Sequence, residues 1–221
     1  MLSSISRTLK QVLPHGAFQR RLPFGLAAGC SFNVNFAHDL RLYLGLYELE
    51  IAGHFRRLVR PGYRSFDVGG NQGYDGLMLA LLGRAEVLSL ECEPPSIDVM
   101  AANFAANPGL SVRPHLAMVG DVTDGAQRYK LDDLAKSYFV PDFIKMDIEG
   151  AEDAALRGAE EILATRRPSL IIEVHGLDKE QACLQILAKH GYHPSIVDRR
   201  TWFPEHRPMA HNRWLICEGR P

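Results

Sequence analysis

The sequence lacks most features that mark secreted and membrane proteins. Its four cysteines form no CxxC pair, which argues against a disulfide framework or a zinc knuckle. No apolar run approaches the roughly 20 residues that a membrane span needs, and the N-terminus has no continuous apolar segment of the kind found in secretory signals. We therefore expect a cytoplasmic protein with reduced thiols and without a transmembrane segment.

An excess of charge of either sign is also missing. Lys and Arg number 25 against 26 Asp and Glu, so the formal net charge is −1. Proteins that bind nucleic acid by bulk electrostatics are usually strongly basic, and we expect no nucleic-acid partner. The chain has 221 residues, of which 46% are hydrophobic and 23% charged, and this composition suits one α/β domain with a sizeable core.

Acidic residues are absent before Asp39, whereas this stretch contains several Arg and Lys residues. Apolar residues at positions 2–13 fall near helical spacing. We predict a basic helical extension over residues 1–38, followed by one domain over residues 39–221. The extension packs on the domain or caps a substrate pocket; the alternatives are weak contact with a membrane surface and a transit-like segment.

Beyond the extension, segments of helical period alternate with short apolar segments typical of buried strands. Helices are predicted over residues 39–59, 74–82, 95–107, 131–137, 150–164 and 179–190. Strands are predicted over residues 63–68, 87–91, 110–116, 142–147, 170–174, 195–198 and 214–217. This alternation predicts an α/β fold with a doubly wound, mostly parallel sheet covered by helices on both faces.

A glycine-rich turn follows the first predicted strand of this domain and precedes a helix. It is not a GxGxxG dinucleotide motif, because Val68 stands where the first glycine is needed. An acid before the glycines suits a ligand with positive groups, and S-adenosylmethionine carries an ammonium and a sulfonium. The predicted cofactor-binding residues of the turn are Asp67, Gly69, Gly70, Asn71 and Gly73. Ordinary loop chemistry is the alternative.

Glu91 ends the next predicted strand. A carboxylate at this place can accept hydrogen bonds from ribose hydroxyls, as the acid about 20 residues beyond a dinucleotide motif does. Glu93 is the competing candidate. Asp147 and His175 also lie at predicted strand ends, and ligands of open α/β sheets bind outside the carboxyl ends of the strands.

Several of these segments closely resemble the FkbM family of S-adenosylmethionine-dependent methyltransferases. The resemblance rests on residues 67–73, 90–91, 131–134, 145–150 with 156 and 158, and 173–175. It implies the class I methyltransferase fold, a Rossmann-like sheet of seven strands with the last strand antiparallel. It also implies methyl transfer to a hydroxyl of a sugar, glycolipid or polyketide-like acceptor. A catalytically silent binding module and an N-methyltransferase are the alternatives.

A hydroxyl acceptor requires a group that manages its proton, and the candidate catalytic residues are Asp147, Glu149 and His175. His175 or Asp147 is expected to remove the proton, and Glu149 to orient substrate. Alternatively, the two acids stabilise the N-terminus of the next helix and His175 is a hydrogen-bonded loop residue. The pattern does not establish a metal site. Lys145, in a buried strand, is expected to pair with a carboxylate.

Overall fold

The computed structural model describes residues 16–201 and 211–220. The helix predicted near residues 2–13 lies outside these residues. The described strands are β1 (Ala17–Arg21), β2 (Ser31–Asn35), β3 (Ser65–Val68), β4 (Val87–Glu91), β5 (Val112–Leu116), β6 (Met118–Val119), β7 (Arg128–Tyr129), β8 (Phe143–Met146), β9 (Ser169–His175), β10 (Ser195–Val197) and β11 (Asn212–Cys217). The described helices are α1 (Phe36–Tyr43), α2 (Leu49–Leu58), α3 (Tyr74–Gly83), α4 (Pro94–Ala105), α5 (Leu131–Ser137), α6 (Glu152–Arg157), α7 (Glu160–Thr165) and α8 (Leu177–Lys189).

The main sheet has seven strands in the order β10-β11-β9-β8-β3-β4-β5. Strands β5, β4, β3, β8 and β9 are parallel, and β11 lies antiparallel between β9 and β10. Strands β3, β4, β8 and β9 are buried along their whole length, which explains why they are nearly continuous apolar runs. The sheet confirms the predicted fold class. The strand order reverses around β3, so its carboxyl end opens into a crevice.

The described part of the N-terminal extension is an antiparallel hairpin of β1 and β2, followed by α1. Phe32 and Val34 are buried while their neighbours on β2 are half-buried, a strand period rather than a helical one. Two asparagine side chains of the α4 region tie β2 to the domain. Asn103 accepts a hydrogen bond from the Asn33 N–H at 2.8 Å, and Asn107 accepts one from the Ser31 N–H at 2.9 Å.

The single helix predicted over residues 39–59 is wrong, because the structure has two helices, α1 and α2. Gly45 follows α1 with φ +69°, a left-handed conformation that ends helices. Its Cα lies against Gly25, where a Cβ on Gly45 would come within 2.6 Å of the Gly25 nitrogen. The break thus lets the N-terminal segment cross close to the domain.

The single helix predicted over residues 150–164 is also divided, into α6 and α7. Asp132 of α5 causes this division. Its carboxylate accepts the N–H groups of Glu161 at 2.9 Å and Ile162 at 3.0 Å, and its own N–H donates to the Gly158 carbonyl at 2.9 Å. A side chain distant in sequence therefore caps the first turn of α7.

We expect Asp132→Ala to lower the free energy of unfolding by about 1 kcal/mol, because two N–H groups in the first turn of α7 lose their acceptor. Asp98→Ala, at an exposed position of α4, is the control and should change stability by less than about 0.5 kcal/mol. Urea unfolding followed by circular dichroism measures both. Equal stability of the two variants would show that the Asp132 cap is energetically silent.

Two apolar clusters cover the two faces of the main sheet, one including Phe66 and Leu156 and the other including Phe55 and Phe143. All four cysteines are free thiols. Within the described residues, no helix has the length and hydropathy that a bilayer crossing requires.

Candidate functional site

The glycine-rich turn is fixed at the carboxyl end of β3 by its own backbone. The N–H groups of Gly69 and Gly70 both donate to the Leu90 carbonyl at 2.9 Å. Gly69 has φ +84°, and a Cβ there would lie 1.8 Å from the carbonyl oxygen of Asp147. Only glycine fits this position. The turn is therefore in direct backbone contact with the segment that follows β8.

Asp67 is fully buried under the turn. Ser89 donates its hydroxyl to Asp67 Oδ2 at 3.0 Å, while Oδ1 has no hydrogen-bond partner within the described part of the chain. Burial and the negative charge of Asp75 raise the pKa of Asp67 to about 7, against the opposing effect of Lys145. A buried acceptor atom without a partner is costly, so this carboxylate is suited to a cationic ligand group.

Glu91 lies at the end of β4 and holds the turn to it. Its carboxylate accepts the N–H groups of Asn71 at 2.8 Å, Cys92 at 2.7 Å and Glu93 at 2.9 Å. A carboxylate has about four acceptor positions, so one stays open for a hydroxyl. Glu93 is exposed, which favours Glu91 as the ribose acceptor.

Lys145 pairs with carboxylates, as the sequence predicts. Its Nζ lies 2.8 Å from Asp75 Oδ2 and 3.5 Å from Asp147 Oδ2. Burial alone would lower the pKa of Lys145, but the charges of Asp75 and Asp147 outweigh it and hold this pKa well above its usual value. Glu48, which precedes α2, is also buried beside this group, and burial raises its pKa well above the usual range. Lys145 is thus a fixed cation.

His175 lies at the end of β9 among three carboxylates. Its Nδ1 is 2.7 Å from Glu152 Oε1, and its Nε2 is 3.3 Å from Glu173 Oε1 and 3.6 Å from Asp147 Oδ1. Burial lowers the pKa of the imidazole, but hydrogen bonds to Glu152 and Glu173 and the charge of Asp147 raise the pKa of His175 to about 10. The imidazole therefore keeps its proton at neutral pH in this environment.

The structure brings Asp147 and His175 together and leaves Glu149 apart. Glu149 is exposed. Asp147 is the most accessible carboxylate around His175, with 20% of its side chain exposed, whereas the Glu152 and Glu173 side chains are fully buried. Sequence reasoning did not assign Glu152 and Glu173 to the site. Glu173 precedes His175 by two residues, so the strand period places both on one face of the sheet, whereas no such signal marks Glu152.

Known structures share this fold. A precorrin-6y C5,15-methyltransferase from Geobacter metallireducens GS-15 superposes with a TM-score of 0.56 and 15% identity, covering 78% of this chain and 88% of that one. Fibrillarin from Aeropyrum pernix, in complex with natively bound S-adenosyl-L-methionine, gives a TM-score of 0.54 and 11% identity, with 72% and 68% covered. No curated protein matches the sequence. The sheet order of this chain is that of the class I methyltransferase fold, which these structures share.

A family model matches part of the chain. Residues 114–206 match the family model described as the methyltransferase FkbM domain. The FkbM methyltransferase from Methylobacillus flagellatus KT has a TM-score of 0.55 and 18% identity, and covers 97% of this chain, which spans 58% of that protein. Residues 114–206 therefore resemble the FkbM methyltransferases in sequence, in agreement with the motifs named above.

Proposed function

We propose that the chain is an O-methyltransferase that acts on a hydroxyl of a small-molecule acceptor, such as a sugar, glycolipid or polyketide-like compound. The observation that carries this proposal is the contact between the donor turn and the carboxylate cluster. Gly69 touches the backbone of Asp147, and Asp147 in turn faces His175. A hydroxyl bound at Asp147 would therefore lie beside the turn that we assign to the methyl donor.

The carboxylates around His175 favour an oxygen acceptor over a nitrogen acceptor. They raise the pKa of one nitrogen base, His175, to about 10, and they would raise the pKa of an acceptor amine in the same way. A protonated amine has no lone pair to attack a methyl group. A hydroxyl is neutral under these conditions, and a carboxylate can accept its hydrogen bond and its proton.

The roles of individual residues follow from this placement. Bound S-adenosylmethionine supplies a methyl group that its sulfonium already activates. Asp67 binds the ammonium of the cofactor, and Glu91 accepts a hydrogen bond from a ribose hydroxyl. Asp147 accepts the hydrogen bond of the acceptor hydroxyl, and His175 positions Asp147. This division of tasks replaces proton removal by His175, because the histidine already carries a proton.

Access for an acceptor is provided near the N-terminal segment. A cavity of about 160 Å³ is lined by Gly25 of that segment, by Glu48 at the start of α2, and by Tyr74 and Asp75 of α3. Asp75 is the ion-pair partner of Lys145, which also contacts Asp147. Asp75 therefore connects the lining of the cavity to the ion pair beside Asp147. We infer that the segment before α2 contributes to acceptor choice.

Transfer of a labelled methyl group tests the function. The full chain is incubated with radiolabelled S-adenosylmethionine and a library in which each hydroxylated sugar, glycolipid or polyketide-like alcohol has a matched amine. Mass analysis of products should place the methyl group on oxygen. Methylated amines alone would make the chain an N-methyltransferase. Binding of S-adenosylhomocysteine without transfer to any library member would point to a silent binding module.

The affinity for S-adenosylhomocysteine should rise with pH, since the ligand ammonium prefers ionised Asp67. With a pKa of about 7, about a tenth of Asp67 is ionised at pH 6 and about nine-tenths at pH 8, so the dissociation constant should fall roughly tenfold between them. Isothermal titration calorimetry at both pH values measures this change. Asp67→Asn should remove the dependence, and an unchanged slope in that variant would assign it to another group.

A further inference from the structure

The cluster around His175 has the arrangement of a metal site. Asp147, Glu173 and His175 each offer one ligand atom, and these three atoms lie within 4.8 Å of one another. The imidazole Nε2 is 3.3 Å from Glu173 Oε1 and 3.6 Å from Asp147 Oδ1. Neighbouring ligand atoms bound to one ion at about 2.1 Å are separated by roughly 3 Å. Small side-chain movements would therefore bring all three onto one ion, which would take the place of the proton that His175 Nε2 carries in the absence of metal.

The surrounding hydrogen bonds orient the three side chains. His175 uses Nδ1 towards Glu152 Oε1 at 2.7 Å, which leaves Nε2 to face the two carboxylates. Glu173 is held by the Trp214 indole N–H at 3.1 Å and by the side-chain amide of Asn212. Ligand histidines of protein metal sites commonly donate their other nitrogen to a carboxylate, and ligand carboxylates are commonly hydrogen-bonded in turn.

An independent observation points to a ligand at the same place. Asn212 is 3% exposed and pairs with His175 across β11 and β9, so that the two side chains lie on the same face of the sheet. Its Nδ2 donates to Glu173, while its Oδ1 is buried with no hydrogen-bond partner in the described part of the chain. An amide oxygen can bind a metal ion directly or through water.

We propose that Asp147, Glu173 and His175 form a binding site for a divalent first-row transition metal ion, with the Asn212 amide oxygen beside it. One imidazole and two carboxylates suit ions between Mn²⁺ and Zn²⁺ better than Mg²⁺. The inference deepens the proposed function and rests on it for its role, since an ion here would attract the hydroxyl oxygen of the acceptor and make its proton more acidic. That proton would pass to Asp147 or to water, while the oxygen–methyl bond forms and the carbon–sulfur bond breaks.

Titration with Mn²⁺ tests the site without any methyl acceptor. The full chain is freed of metal with a chelator, and electron paramagnetic resonance follows the signal of free Mn²⁺ as the protein is added. We expect one bound ion per chain and at least tenfold weaker binding in Asp147→Asn and in Glu173→Gln. Asp178→Asn, an exposed acid in the first turn of α8, is the control and should bind as the wild type does.

Two results would overturn the metal site. One is the absence of Mn²⁺ binding up to about 1 mM, a range that covers weak protein sites. The other is equal binding by the wild type and a folded Asp147→Asn variant, which would mean that Mn²⁺ binds elsewhere. Because Asp147 is the most accessible of the three side chains, this variant should fold even if Glu173→Gln does not.

The test of the metal site can fail or succeed independently of the test of the proposed function. Specific Mn²⁺ binding without methylation of any hydroxyl would support the metal site and remove the proposed function. Hydroxyl methylation at the full rate by metal-free protein that binds no Mn²⁺ would keep the proposed function and overturn the metal site. Hydroxyl methylation that a chelator abolishes and Mn²⁺ restores would support both.

Discussion

Asp147→Asn is expected to reduce turnover at least a hundredfold, while the dissociation constant for S-adenosylhomocysteine changes by less than about twofold. Asparagine has nearly the same shape as aspartate but cannot take the proton of an acceptor hydroxyl. Lys145 retains its closest partner, Asp75, at 2.8 Å, so no buried ammonium is left unpaired. Methyl transfer at saturating acceptor measures turnover, and calorimetry measures ligand binding.

The control for this prediction is Asp178→Asn. Asp178 is exposed and belongs to the first turn of α8, just beyond the end of β9. The Asp178→Asn substitution therefore removes one negative charge from the same edge of the sheet without changing the carboxylate cluster. We expect its turnover to match that of the wild type. If Asp147→Asn were also fully active, Asp147 would have no part in the proton transfer.

Gly69→Ala is expected to abolish detectable binding of S-adenosylhomocysteine and to lower the free energy of unfolding by about 2–5 kcal/mol. Two effects add. Alanine is strained at φ +84°, and its Cβ would lie 1.8 Å from the carbonyl oxygen of Asp147. The backbone must move to relieve this overlap, and the N–H groups that hold the turn to Leu90 move with it. Denaturant unfolding and calorimetry measure the two effects.

The Gly62→Ala variant distinguishes the effect of backbone strain from that of the overlap with the Asp147 carbonyl oxygen. Gly62 has φ +91°, close to that of Gly69, but a Cβ on Gly62 would meet no atom within 4 Å. We expect a loss of about 1–2 kcal/mol from backbone strain alone, with ligand binding intact. An equal loss in both variants would mean that the contact between the turn and Asp147 contributes nothing to stability.

The sequence predicts the main sheet because its strands are buried on both faces and its helices are amphipathic. The wrongly predicted helix boundaries are set by contacts with residues that are distant in sequence. The break before α2 occurs where Gly45 meets Gly25, and α7 begins where Asp132 supplies a cap. A periodic pattern cannot show either contact. The hairpin of β1 and β2 was missed for a similar reason, since asparagines of the α4 region hold β2.

The candidate site also combines features that the sequence pattern shows with contacts that it does not show. The sequence places Asp67, Glu91, Asp147 and His175 at one edge of the sheet because the carboxyl ends of parallel strands meet there, and their roles stay a prediction. The strand period places Glu173 on the face of His175, whereas the contact of Glu152 with the imidazole depends on how α6 packs against β9. Their charge also decides the state of His175. The base role inferred from sequence assumed a neutral imidazole, which this environment does not provide at neutral pH.

The central position of β3 has a consequence for the order of folding. Ser65 pairs with Val87 on one side and with Phe143 on the other, so the second pairing must close a long loop before it gains any stability. Parallel pairings of this kind form slowly. The donor turn touches Asp147 only after β8 has joined β3. Ligand binding should therefore appear late in refolding, with the last slow phase rather than with the first formation of helix.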